Sequence, residues 1–119
     1  SSKQFNFADV EKKLRKAFNT SRRRADKKGV CFDLSLGFLK ALFLKQEGLC
    51  FYTGKPFCLD IKTETLSLDR VQADKGYTKG NVVWCKAGIN YLKHTGDYIK
   101  MRKTCVEIIT HKPDWTLLK

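Results

Sequence analysis

The 119 residues contain no Cys-x-x-Cys pair and no apolar run of the roughly 18 residues that a membrane span needs. They hold two histidines, and half as many acidic side chains as basic ones, 12 Asp+Glu against 24 Lys+Arg. Each shortage narrows the chemistry. A structural zinc site favours two thiolates on one short turn, yet the nearest cysteines, Cys50 and Cys58, stand eight apart. The expectation is free thiols at Cys31, Cys50, Cys58, Cys85 and Cys105, with structural zinc unlikely. Five cysteines are an odd set, unlike a secreted disulfide framework, and nothing reads as a signal peptide. A reducing, intracellular (cytoplasmic) setting away from any membrane is therefore expected. No internal repeat, low-complexity tract or second boundary interrupts the chain, so residues 1–119 are read as one domain.

What is abundant is positive charge. The formal net charge is +12 and the pI about 9.7, in a chain that is 42% hydrophobic and 12% aromatic and so able to fold. Such an excess suits a polyanion, because neutralising phosphates releases condensed counterions. The charge is uneven. Residues 1–29 hold ten Lys/Arg against three Asp/Glu, +7 of the +12. Within them Asn6 can cap a helix, Asp9 puts a carboxylate in its first turn, and Phe7, Val10, Leu14, Ala17 and Phe18 recur at helical spacing. The run SRRRADKKG follows, with Gly29 as a stop. Arg22, Arg23, Arg24, Lys27 and Lys28 of this basic N-terminal arm are candidate DNA-backbone contacts; the plainer reading is a solvated helix face.

Residues 31–34 look extended. Ser35 can cap a second helix reaching Lys45, with Leu36, Leu39, Leu42 and Phe43 inward and Gly48 at its end. LCFYTGKPF makes a tight turn around Thr53-Gly54 and Pro56. A last helix is expected over about 96–111, capped by Thr95, with Ile99, Arg102, Cys105, Val106 and Ile109 on one stripe. Trp115, Leu117 and Leu118 are expected to fold back on the core, and His111 to complement the helix dipole.

The stretch from Leu66 to Lys93, LSLDRVQADKGYTKGNVVWCKAGINYLK, carries the chemistry. It reads as strand, loop, strand and helix. Leu66, Leu68 and Val71 are the apolar residues of the first strand; Val82, Val83 and Trp84 form the second, with Trp84 in the core. Two glycines let the loop turn sharply and approach a ligand, and Lys75 and Lys79 flank Tyr77 as a phosphate-facing surface with one aromatic ring. On the helix, Asn90 and Lys93 share a face with Lys86, a further candidate nucleic-acid contact, while Ile89 and Leu92 fall on the packing side. Asp69 on the strand and Asn90 on the helix are hard oxygen donors over one hairpin. One divalent ion, Mg²⁺ or Mn²⁺, accepts such a sparse set and completes its octahedron with water and phosphate. Taken singly, each has a plainer reading: a strand Asp as an ion-pair residue, a helical Asn facing solvent.

SLDRV, DKGYT, GNVVWC and IN-x-x-K, at 67–71, 74–78, 80–85 and 89–93, resemble the core of the HNH (ββα-metal) endonuclease superfamily, particularly its short phage and bacterial members. FDLSLGFLKALFLKQEGLCFYTG, from Phe32 to Gly54, is similar to the helix-then-turn segment leading into that core, so the likeness covers about residues 22–110. The resemblance implies an α+β fold with a hairpin-plus-helix core at 66–94, surrounded by helices. By position it implies Asp69 and Asn90 as metal ligands, Asn81 as the brace of the loop between the strands, and Lys93 near a phosphate. Where the family often has a His as general base, this chain has Arg70, which stays protonated and cannot deprotonate water. A positioned base contributes typically ~10²–10⁴-fold, about 3–5 kcal/mol of barrier. Arg70 is then read as a phosphate-neutralising group, with His94 or Asp74 as the substitute base.

Two readings stay open. In the first the chain is a metal-dependent endonuclease or nickase hydrolysing double-stranded DNA; one site nicks, and a double-strand break needs a homodimer or two events. In the second it is a catalytically impaired, nuclease-derived DNA-binding or regulatory protein of phage or mobile-element origin. An RNA-binding role would require exposed stacking aromatics, for which Tyr77 and Trp84 are the only candidates.

Overall fold

In the computed structural model, residues 6–93 and 98–118 are described, as a mixed arrangement of helices and two small sheets. Helix α1 (Phe7–Lys28) begins where Asn6 accepts the N–H of Ala8 on its side-chain oxygen (3.0 Å) and has Asp9 in its first turn. It ends at Gly29, whose φ of 68° is the left-handed conformation that a residue without Cβ adopts at least cost. Val10, Leu14, Ser21 and Ala25 form the buried stripe. Phe7, expected inward, is exposed, because the stripe starts one turn later.

Strand β1 (Phe32–Asp33) leads to helix α2 (Leu36–Lys45), capped by Ser35, whose Oγ accepts the N–H of Phe38 (3.1 Å). Leu39 and Phe43 are its buried residues, and Gly48 follows in a left-handed conformation. The Thr53-Gly54 turn closes through Gly54 N–H to the Cys50 carbonyl (2.9 Å) and a bridge between Leu49 and Pro56.

Strand β2 (Leu66–Arg70) pairs antiparallel with β4 (Val82–Lys86), Asp69 opposite Val83 and Arg70 opposite Val82. Between them β3 (Tyr77–Thr78) pairs in parallel with β1, Phe32 opposite Tyr77. This second sheet was not expected. It buries Tyr77, against the expectation of a surface aromatic, between Phe32 (5.7 Å between ring centroids) and the Arg70 guanidinium (5.0 Å from its centroid).

Trp84 is the centre of the core. Its indole N–H donates to the Leu39 carbonyl (3.0 Å), and its backbone N–H and C=O both bond the Gln46 side-chain amide (2.8 and 2.9 Å), which thus acts as a short piece of neighbouring strand. Helix α3 (Ala87–Lys93) leaves β4 directly, packing against both strands of the hairpin. Ile89 packs on the core and Leu92 is exposed.

Helix α4 (Tyr98–Thr110) and a 3₁₀ turn (Trp115–Leu118) complete the described chain. Neither contributes a buried residue: the stripe of Ile99, Val106 and Ile109 is exposed, and Trp115, Leu117 and Leu118 do not fold back on the core as expected. The expected cap, Thr95, lies outside the described residues.

Candidate functional site

α1 lies against β2 and α2, which carries its last two turns over the hairpin. A cleft of about 860 Å³ opens between them, lined by Arg24, Lys27 and Lys28 from α1, Asp69 and Arg70 from β2, and Asn90, Tyr91 and Lys93 from α3, among others. The lining residues hold five cations and one carboxylate. Helical spacing and strand pairing, not nearness in sequence, bring them together.

Asp69 is buried at 5% exposure, and its oxygens have specific partners. The Lys93 ammonium donates to Oδ2 (2.9 Å) and Oδ1 (3.1 Å), and Tyr52 Oη donates to Oδ2 (2.5 Å). Lys93 also donates to the carbonyls of Arg70 and Val71, the latter at 3.1 Å, and is only 4% exposed. A lysine is stable there because every oxygen it meets is negative or dipolar. Burial first, and then the bonded Asp69 carboxylate, push the Tyr52 phenol well above its ordinary value of 10.0, so it stays a donor.

Asn90 turns its amide nitrogen to the strand, donating to Ser67 Oγ (2.6 Å) and, more weakly, to the Leu68 carbonyl (3.4 Å). Asn81 clamps the loop between β2 and β4. Its Oδ1 accepts the N–H of Gln72 (3.0 Å), and its Nδ2 donates to the carbonyls of Gln72 (3.2 Å) and Gly76 (2.8 Å). Arg70 adds a bond to the Lys75 carbonyl (3.0 Å) while stacking on Tyr77.

The other candidate cations are dispersed. Arg22 and Arg23 line a shallow groove on another face of α1, Arg22 resting over the Phe18 ring (5.3 Å). Lys79 sits over Phe38 (5.5 Å), and Lys75 is exposed on the loop. Lys86 is engaged by Glu64 (3.0 Å). Asp74 is exposed; His94 lies outside the described residues.

For a divalent ion at Asp69 and Asn90 the donors do not fit as they stand. The ammonium grips both carboxylate oxygens, and no group of three His, Cys, Asp or Glu is placed to hold a metal among the described residues. Two further participants were not anticipated, Tyr52 and Ser67. Tyr52 precedes Asp69 by a turn and a long loop, so no spacing signal links them; Ser67 shares the strand with Asp69 and faces α3 through its hydroxyl.

Below the site, Cys50 and Cys85 are buried. Burial, with the nearby Asp69 charge, pushes the Cys85 thiol well up from its ordinary 9.0. Burial acts the same way on Cys50, but hydrogen bonds from Thr53 and the Lys86 N–H outweigh it and hold that thiol below 9.0.

No family model matches the chain, and no solved structure matches it. Over 79 residues, 66% of this chain and 31% of the relative, it is 30% identical to an uncharacterized 29.0 kDa protein in the dda-modA intergenic region of Enterobacteria phage T4. The chain therefore spans about a third of the length of the curated relative it matches.

Proposed function

We propose that the protein is a nuclease-derived module that binds double-stranded DNA by its phosphodiester backbone, seating a phosphate in the cleft beneath α1. The observation that carries this reading is the convergence of Arg24, Lys27 and Lys28 with Arg70 on one cleft that holds a single carboxylate. A basic concavity with low-dielectric walls focuses potential onto a polyanion. Arg70 is preset for a phosphate oxygen because Tyr77 and the Lys75 carbonyl fix its plane. The hairpin-plus-helix arrangement and the sequence resemblance to the HNH superfamily support a nuclease ancestry, and the likeness to a phage protein supports a phage or mobile-element source.

The test is the salt dependence of binding to a short duplex. Three or four phosphate contacts give a slope of log K against log[salt] of about −3 to −4. Arg24→Ala with Lys27→Ala and Lys28→Ala should flatten that slope by about 2–3, with no loss of folding, since all three side chains are exposed. An unchanged slope removes the cleft from the interface.

A second reading is favoured by one observation: Asp69 and Asn90 line the same cleft as the cations. In that reading Lys93 would release Asp69, Asp69 and Asn90 would hold Mg²⁺ or Mn²⁺, and the ion would supply Lewis-acid activation for hydrolysis of the bound phosphodiester. Plasmid relaxation with either ion, lost in both Asp69→Ala and Asn90→Ala, is its signature; intact supercoiled DNA under every condition eliminates it. The two readings part at Lys93.

A further inference from the structure

We infer that the Lys93 ammonium is a tethered cation standing where a divalent ion would otherwise sit, so that the Asp69 site takes no metal until Lys93 is removed. This deepens the DNA-binding reading above by assigning its site a metal-independent grip on phosphate.

The argument starts from donor counting. A lysine ammonium has three N–H groups, but Lys93 Nζ meets four oxygens: Asp69 Oδ1 and Oδ2, and the carbonyls of Arg70 and Val71. More acceptors than hydrogens is a cation nest, with the charge shared among oxygens, rather than a set of discrete bonds. Two carboxylate oxygens and two carbonyls are a hard oxygen set, the kind that Ca²⁺ and Mg²⁺ accept.

The nest is made by backbone geometry and outlasts its occupant. Arg70 ends β2, and the Val71 N–H bond to the Asn81 carbonyl (2.8 Å) carries the β2–β4 ladder one residue further, which fixes the backbone whose two successive carbonyls, of Arg70 and Val71, both reach the ammonium. Asn81 then holds the following loop by three side-chain bonds, so removing the Lys93 side chain leaves the carbonyls in place.

Charge explains why the ammonium is not displaced in the native chain. The cleft lining has one carboxylate against Arg24, Lys27, Lys28, Arg70 and Lys93. A divalent ion entering beside Lys93 adds positive charge to a basic cavity, and one replacing it must drive a lysine stem out of the core. Size decides which ion the vacated nest prefers. The ammonium sits 2.9–3.1 Å from Asp69 and Val71 oxygens, and Ca²⁺ needs about 2.3–2.6 Å against about 2.0–2.1 Å for Mg²⁺. Ca²⁺ therefore requires the smaller contraction and is the favoured guest.

Tyr52 makes the site readable. Its hydroxyl is 2.5 Å from Asp69 Oδ2, so a Tb³⁺ ion in the nest, a Ca²⁺ mimic, is excited through that phenol. In a Tb³⁺ titration the wild-type protein should give no saturable tyrosine-sensitised emission. Lys93→Ala should give one, competed by Ca²⁺ better than by Mg²⁺ and lost when Asp69→Asn is added. With one carboxylate the dissociation constant for Ca²⁺ is expected on the order of 10⁻⁴–10⁻³ M. The melting midpoint of Lys93→Ala should rise with added Ca²⁺ while that of the wild type stays put.

Saturable wild-type emission abolished by Asp69→Asn overturns the inference. So does a folded Lys93→Ala without ion binding, or one that no ion concentration can fold. Duplex binding by the wild type is measured in parallel, with EDTA and with Mg²⁺; it should persist in EDTA, with Mg²⁺ weakening it as a competing counterion and never strengthening it. A failure to bind DNA at all refutes the proposed function while leaving the ion titrations to judge the nest.

Discussion

At the scale of single residues, the site is governed by what surrounds one carboxylate. Asp69 is tolerated in the interior because Lys93 and Tyr52 answer both of its oxygens, and removing either partner exposes a desolvated charge. Tyr52 carries a measurable pH signature. Its phenol is held protonated in the folded chain by burial and then by Asp69, whereas the unfolded phenol ionises near 10.0. A raised folded value means stability fully present below the unfolded value and lost as pH rises above it. Cys85, raised from 9.0, acts with the same sign from slightly lower pH, whereas Cys50, lowered, adds stability only as pH rises toward 9.0, before that decline. Melting midpoints should therefore decline from about pH 9 upward. Tyr52→Phe, less stable at neutral pH for want of its hydroxyl, should show the shallower decline between about pH 10 and 11. Equal slopes in the two proteins would show that the Tyr52 proton is not linked to folding.

At the scale of elements, the close approach of two loops decides whether the hairpin is properly built. Gly76 lies against the residue before β1. A Cβ there would meet the Cys31 carbonyl oxygen at 2.6 Å and Cys31 Cβ at 2.9 Å, both too rigid to yield. The Tyr77 N–H bond to that same carbonyl (2.8 Å) starts the β1–β3 pairing. Gly76→Ala should thus force β1 and β3 apart, at a cost of about 1–3 kcal/mol, a melting midpoint lower by roughly 3–15 °C. It should also loosen Arg70, whose guanidinium rests on Tyr77, and so weaken duplex binding. A Gly76→Ala protein that melts and binds like wild type would mean the loop relaxes away from β1 freely. Helix α1 makes the other decisive contact, since its packing on β2 is what carries Arg24, Lys27 and Lys28 to the cleft.

At the scale of the whole molecule, charge and shape divide the labour. The Cα radius of gyration is 16.1 Å, against about 13.5 Å for a compact chain of this length. The difference agrees with the outlying α4 and 3₁₀ turn, whose apolar side chains stay exposed, Leu117 at 81% and Ile109 at 79%. Tyr98 at the start of α4 is stacked on Tyr52 with centroids 5.1 Å apart, and α4 also contacts α3. Ending the chain after Thr110 removes no buried residue among those described. Its melting midpoint should stay within about 2 °C of wild type, with the salt slope of duplex binding unchanged. A large drop in either would assign the last nine residues a role in the folded body.

The local signals were legible in the sequence because their physics is local. Asn6, Gly29 and Ser35 cap helices through bonds spanning a few residues, and the apolar residues of Leu66–Val71 and the continuous apolar run Val82–Trp84 mark two strands whichever way they pair. Asp69, Arg70, Asn81, Asn90 and Lys93 could be singled out by residue type and order, and the tertiary structure decided what each meets. It paired Asp69 with Lys93 and Tyr52, turned the Asn90 amide to Ser67, and buried Tyr77 under Arg70 by a parallel pairing with Phe32 that no spacing announces. It also left the apolar stripe of α4 outside, because helical periodicity specifies a face and not a partner for it. Composition alone determined a basic chain suited to a polyanion. Only the packing of α1 over the hairpin decided which of its cations share a cleft, and only the convergence of four oxygens on Lys93 decided which cation sits at its floor.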